Sequence, residues 1–263
     1  MRKILFLLLT MMMLVSCSQH RKLAYKFVDD SANASVALFL PESMIKKNLR
    51  NDSVPEEMDT LSLQEKIAFL ESKTKIVDKI DDDLFLDILY LSMASTLNDY
   101  GLNVVTSIND SSDIWLIDIP CVEVSEMNVS QPYYYSFYDE DCVALVPVDV
   151  VNVAAWFAFN DNPDSTLYFT EQNLFSDYYC SFQSDEQGRL LAHFYVDSLT
   201  MSDFYRFAEN LGRLYAGYCY DAALNDFIKR HSEKSPDSVN SFRYDPYERL
   251  FFKTDSDRLI PVY

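Results

Sequence analysis

The chain has 263 residues, with 22 lysines and arginines against 41 aspartates and glutamates, a formal charge of −19. A surface this acidic repels nucleic acid and, in bulk, anionic lipid headgroups, which excludes both as ordinary partners. Four glycines are too few for the turns of a large all-β protein, while 49% apolar and 14% aromatic residues supply ample core.

Residues 1–16 have the three parts of an export signal. Arg2 and Lys3 form the basic start, about a dozen apolar residues follow, and small Ser16 precedes Cys17. That run falls short of the roughly twenty residues a membrane-spanning helix needs. Leu14-Val15-Ser16-Cys17 resembles the lipobox of bacterial lipoproteins, in which the cysteine is diacylated and becomes the new N-terminus. The alternative is an ordinary secretory signal followed by a chance cysteine. Two or three acyl chains anchor durably where one holds marginally. Cleavage removes two basic residues and no acidic one, so the mature chain is more acidic still.

Residues 18–35 are polar and mixed, and read as a tether. Residues 36–40 form a strand candidate stopped by Pro41, and residues 48–60 look like loop. Ser62-x-x-Glu65 is a capping box opening a helix. The strongest helix follows Asp81, Asp82 and Asp83, acids suited to a helix N-terminus. Leu86, Leu89, Met93, Leu97 and Tyr100 then recur at spacings of three and four, with Gly101 placed as the C-cap. Phe85, Ile88 and Leu91 on other faces predict burial on more than one side.

Strands are predicted near 103–107, 113–124, 143–159, 166–170, 178–183 and 189–196, with Glu186-Gln187-Gly188 as a hairpin turn. In the second, Trp115, Ile117, Ile119 and Cys121 share one face. A long helix begins at Thr200-x-x-Asp203 and runs to about His231. Its Ala208, Gly212 and Ala216 allow close approach of a neighbouring helix, within the chain more economically than between chains. The expected fold is α+β, a mainly antiparallel sheet packed by two or three long helices. The expected organisation is a signal peptide (1–16), lipidated cysteine and tether (17–35), one α+β domain (36–235) and an irregular tail (236–263).

Candidate chemistry is sparse. His20, His193 and His231 neighbour no G-x-S-x-G elbow, and neither H-E-x-x-H nor a phosphate-binding glycine loop occurs. Asp139, Glu140 and Asp141 lack the calcium-loop pattern and read as a solvated loop. No catalytic residue, metal or cofactor is expected, and the chain reads as a non-enzyme. Cys121, Cys142, Cys180 and Cys219 are far apart, so buried free thiols and up to two disulfides both remain open.

The segment Gln131-Pro-Tyr-Tyr-Tyr-Ser-Phe-Tyr-Asp-Glu-Asp141 is the nearest thing to a binding surface. Tyr133, Tyr134, Tyr135 and Tyr138 could stack on sugar rings or cationic side chains, or alternate as strand residues packed inward and at the rim. Asp-Ser/Thr followed by a small or apolar residue (Ala, Val, Leu or Thr) occurs six times, at 30–32, 52–54, 59–61, 164–166, 197–199 and 237–239, where composition alone gives about one. They resemble the O-glycosylation motif of exported proteins from some Gram-negative anaerobes. Ser53, Thr60 and Ser238 are the expected acceptors, although Asp-Ser also favours turns and caps.

Four stretches carry a wider resemblance: Tyr25-Lys-Phe-Val28, residues 36–49, residues 148–160 and residues 207–228. They resemble a family of uncharacterised envelope lipoproteins of gut-type Gram-negative anaerobes, which implies placement and no activity. More loosely, the helix, Tyr100-Gly-Leu-Asn-Val-Val105 and the strand after it are similar to auxiliary outer-membrane lipoproteins serving lipopolysaccharide or lipid transport. That likeness implies a helix on a small sheet and a protein partner. Ser18 after Cys17 lacks the aspartate of inner-membrane retention, and the basic residues that follow lack the acidic run of a surface-export signal. The expected location is the outer membrane, facing the periplasm. The expected roles are a docking component of an envelope complex or, in the alternative, a glycan- or peptide-binding lipoprotein.

Overall fold

A computed structural model of the protein describes residues 19–50, 62–66, 75–106, 114–159, 166–232, 241–254 and 258–262. Cys17, Ser53, Thr60 and Ser238 lie outside the described residues. Helix α1 covers residues 19–31, α2 Asp82–Asp99 and α3 Met201–His231. Asp81 caps α2 by accepting from the Leu84 N–H, and Gly101 adopts a φ of +85° just past its end. Thr200 and Asp203 form a reciprocal capping box at the start of α3. Their hydrogen bonds hold the Asp203 carboxyl below its ordinary range. The Ser62–Glu65 box also forms.

Leu86, Leu89, Met93 and Leu97 are buried as their spacing predicts, each burial worth roughly 1.5–3 kcal/mol. Phe85 is buried with them and stacks on Phe204 of α3. Leu91, however, is 65% exposed, because only one broad face of α2 meets neighbours. The crossing with α3 is tight at Gly212. A Cβ there would lie 2.6 Å from the Ser92 Cβ and 2.8 Å from the Leu89 carbonyl oxygen, so the small-residue stripe serves packing within the chain.

A seven-stranded sheet runs beneath the helices. Its strands are β1 (Ser35–Phe39), β2 (Ile45–Asn48), β3 (Asn103–Val105), β4 (Ile114–Phe137), β5 (Glu140–Phe159), β6 (Leu167–Phe175) and β11 (Ile260–Val262). The path β11-β6-β5-β4 is antiparallel, whereas β1 joins β4 and β3 in parallel and β2 joins β4 in parallel. The fold is a mixed α+β arrangement with antiparallel strands, carrying two long helices and the shorter α1.

The first strand of the central hairpin is twice as long as its hydrophobic signal. The register shifts between Asp118 and Cys121, so Ile117 and Ile119 before the irregularity, and Val122 and Val124 after it, all reach the helical core. Cys121 is thereby turned off the face it was predicted to share with Ile117 and Ile119. A bulge of this kind adds a residue without changing which face is buried.

Two terminal expectations are corrected. Residues 19–31 are not a free tether: α1 lies along α3, with Ala24 fully buried, Leu23, Phe27 and Val28 against the core and His20 bonded to Ser232. The C-terminal segment is not irregular. It forms the hairpin β9 (Ser241–Asp245) and β10 (Leu250–Thr254), then β11 at the sheet edge. Asn225 of α3 acts as a surrogate strand, its side chain accepting from the Phe242 N–H at 2.7 Å and donating to the Phe242 carbonyl at 3.0 Å.

Gly212→Ala is expected to destabilise the domain by about 1–3 kcal/mol despite alanine's better helix propensity, because backbone of α2 blocks the new methyl. Gly217→Ala, whose methyl meets only the end of the Tyr100 side chain, its hydroxyl oxygen at 3.1 Å, should be nearly neutral. Urea unfolding of the two variants checks the contrast.

Candidate functional site

The β4–β5 hairpin outruns the helices. Its distal half, residues 127–137 paired with 140–150, extends about 35 Å as an arm. The arm closes in a two-residue turn with Tyr138 and Asp139 both at positive φ, 51° and 62°. A second hairpin, β7 (Tyr178–Ser184) and β8 (Leu190–Val196), covers one face of it. Val146, Val148 and Val150 form a small separate core there with Met127, Val129, Tyr178, Phe194 and Val196.

The tyrosine segment divides between the two faces. Tyr133 points into the small core, in edge contact with Tyr178 and Phe194 at 5.7 Å. Tyr135 meets Phe194 at 5.6 Å, and Phe137 stacks on Phe182. Desolvation, with the Cys142 and Cys180 thiols beside it, pushes the Tyr135 hydroxyl above its usual range. Tyr134 is 78% exposed on the opposite face and Tyr138 is exposed at the turn. The four tyrosines therefore do not make one surface. Tyr134 instead sits opposite Val143, with Pro132 opposite Leu145, and all four side chains are exposed. This apolar patch lies on the face that, nearer the root, is covered by helices.

At the root stands a buried ionic network that leaves no local signal in the sequence. Glu126 is 1% exposed, and its carboxylate accepts from the backbone N–H groups of Lys75, Ile76 and Val77 at 2.9–3.1 Å. Arg50, with a side chain 3% exposed, bridges Glu126 at 3.0 Å and Asp149 at 2.8 Å. Lys75 reaches the other oxygen of Asp149 at 2.7 Å. The cluster joins both ends of the 51–74 segment to the hairpin, at the point where helical cover stops. Its arrangement satisfies charges and closes the core.

A cavity of about 520 Å³ opens between α1, α3 and the sheet end. Phe27, Trp115, Phe159, Tyr168 and Phe227 converge on it, with Ala222, Ala223 and Ser31 between them and Asp226, Arg230 and His231 at its side. Phe27 and Phe227 rings lie 5.5 Å apart, Phe159 and Tyr168 also 5.5 Å apart, and His231 stacks on Phe227 at 4.1 Å. Sequence reading missed this cleft because its aromatics come from five separate elements. A larger groove between α2 and α3 mixes apolar Ile88 and Leu91 with charged side chains, Arg206 and Arg213 each paired on their own helix to Asp203 and Glu209.

The remaining candidates do not converge. His193 is exposed on β8, His231 lies at the end of α3, and His20 is buried on the face of α1 that meets Ser232. No group of three His, Cys, Asp or Glu among the described residues could hold a metal ion. The four cysteines are free thiols, and burial pushes those of Cys219 and Cys121 upward, away from reactivity. Asp139, Glu140 and Asp141 are exposed at the arm tip, where the Ser136 hydroxyl donates to Asp141.

No protein-family model matches the chain, and no curated protein matches it. Among solved structures, a hemagglutinin homolog from Helicobacter pylori described as neuraminyllactose-binding aligns with 78% of this chain and 92% of its own. The identity is 10% and the TM-score 0.31. A likeness of that size assigns neither fold nor function.

Glu126→Ala is expected to cost about 3–5 kcal/mol, since it leaves the N–H groups of Lys75, Ile76 and Val77 without their acceptor and takes away one of the two carboxylates that hold the buried Arg50. Lys47→Ala, which removes a half-exposed partner of Glu123, should cost under about 1 kcal/mol. Chemical denaturation of both variants measures the difference.

Proposed function

We propose that the protein is a lipid-anchored, non-catalytic envelope lipoprotein, held at the outer membrane through Cys17 and docked on an envelope protein partner by the β4–β5 arm. One observation supports the docking role. Pro132, Tyr134, Val143 and Leu145 form an uncovered apolar patch on an otherwise strongly acidic molecule, at the end of a stiff projection braced from behind by β7 and β8. Contiguous exposed apolar groups of this kind mark interaction surfaces. From residue 127 outward on β4, and on β5 between residues 140 and 148, the arm's edges carry no further strand among the described residues, leaving backbone groups for pairing with an extended segment.

The test is photo-crosslinking in intact cells from positions 134 and 143, with purification through a C-terminal tag. A single abundant envelope protein should be captured. Capture should fall at least about tenfold in a Tyr134→Ser, Val143→Thr, Leu145→Thr variant whose thermal midpoint is unchanged. Undiminished capture by that variant sinks the arm as the docking element. Replacing Tyr133 or Tyr135 is uninformative, because both rings belong to the arm's core.

The aromatic cleft favours a second reading, a binding lipoprotein for a small glycan or peptide. Five rings around about 520 Å³ match the lining and lower size range of ligand sites. Under it, ligands found in a glycan and peptide screen quench Trp115 fluorescence, and Ala223→Phe abolishes the response while the arm variant retains it.

A further inference from the structure

We infer that the domain rests on the membrane by one basic pole, built from the start of α1 and the end of α3, which recognises anionic phospholipid headgroups. This deepens the anchored reading above and rests on acylation of Cys17. The two helices run antiparallel, with His20 bonded to Ser232 at 3.2 Å and Phe27 against Phe227, so these ends are adjacent. Residues 19–26 contribute Arg21, Lys22 and Lys26, and residues 226–232 contribute Lys229 and Arg230. Asp226 is the one acid in these two stretches. Lys26 is paired with Asp30 and Arg230 with Asp226, both on their own helices, and the pole still carries a positive excess on a chain of charge −19. Arg21, Lys22, Lys26 and Arg230 are exposed.

Chain length fixes which way this pole faces. Residue 19, the first described residue of α1, is two positions beyond Cys17, and two residues span at most about 7 Å. The acylated cysteine therefore lies beside the basic pole, within a Debye length of it. Juxtamembrane lysines and arginines gain from a negative headgroup layer at that range. The acidic bulk of the domain is repelled by the same layer. Attraction at this end and repulsion of the acidic bulk give an upright orientation with the basic pole toward the lipid.

The test uses the full-length protein purified with its acyl chains, whose intact mass is read first. It is reconstituted on vesicles of pure phosphatidylcholine or of phosphatidylcholine with one-third phosphatidylglycerol, and lysines are footprinted with a water-soluble acylating reagent. Lys22, Lys26 and Lys229 should be protected about fivefold or more on the anionic vesicles relative to the neutral ones, while Lys47 and Lys79, near the other end of α3, react equally on both. Half-molar salt should remove the protection. An Arg21→Glu, Lys22→Glu variant should lose it at Lys26 and Lys229 without a change in thermal midpoint. Equal labelling on both vesicles, with the acyl mass present, overturns the basic pole and leaves the anchor standing. Protection found in cells but absent on anionic vesicles overturns it in favour of an acidic protein partner. A mature mass lacking acyl chains overturns the anchor and this inference together.

Discussion

One β-hairpin belongs to two cores that lie on its opposite faces, and the rest of the molecule is arranged around that fact. In its proximal half, Val122, Val124, Val151, Val153 and Phe157 pack under the helices. In its distal half, Val146, Val148 and Val150 turn the other way to meet β7 and β8. Period-two alternation makes this possible without breaking the strands, since each strand presents an apolar row to either side in succession. The changeover needs a boundary, and the Arg50–Glu126–Asp149–Lys75 network occupies it. Charges are tolerable there because backbone N–H groups and paired side chains replace the lost water.

The same changeover leaves one surface on each half uncovered. On the arm it is the patch around Tyr134 and Leu145; on the body, the sheet end beneath α1 and α3 leaves the aromatic cleft. A ring-lined hollow and a ring-bearing projection thus sit at opposite ends of one hairpin. Trp115 and Phe159 mark the first and Tyr138 the second. The two functional readings correspond to these two ends.

Legibility followed the locality of the determinants. Helices α2 and α3 were readable to within a residue because capping residues and apolar period agree: Asp81, Thr200 with Asp203, and Gly101 all act within a few positions of the boundary they set. The central strands were recognisable but too short, because Asn128, Ser130 and Ser136 on the outer face of β4 dilute its apolar signal. Residues 19–31 read as a tether since Leu23, Ala24, Tyr25, Phe27 and Val28 are diluted by charged and polar neighbours. Their stripe becomes helical through contact with α3, which lies about two hundred positions away. The tail was misjudged for the same reason: Phe242 and Tyr244 are ordered by Asn225 and Asp221 of α3, which no local pattern announces. The network at Glu126 and the cleft are assembled from distant segments, and neither leaves a motif. The tyrosine run was visible, but its partition between two faces depended on β7 and β8.

The bond between His20 and Ser232 joins positions 212 residues apart, and Asn225 ties the last hairpin to the helix that α1 covers. Contacts of such long range close late, after the loop entropy of nearly the whole chain has been overcome. Helix α1 therefore has no partner to settle on until almost all of the polypeptide has been synthesised and α3 has formed. Until then residues 19–31 lack the surface that buries Ala24 and His20, so the docking of α1 on α3 is a closing step of folding and not an early one.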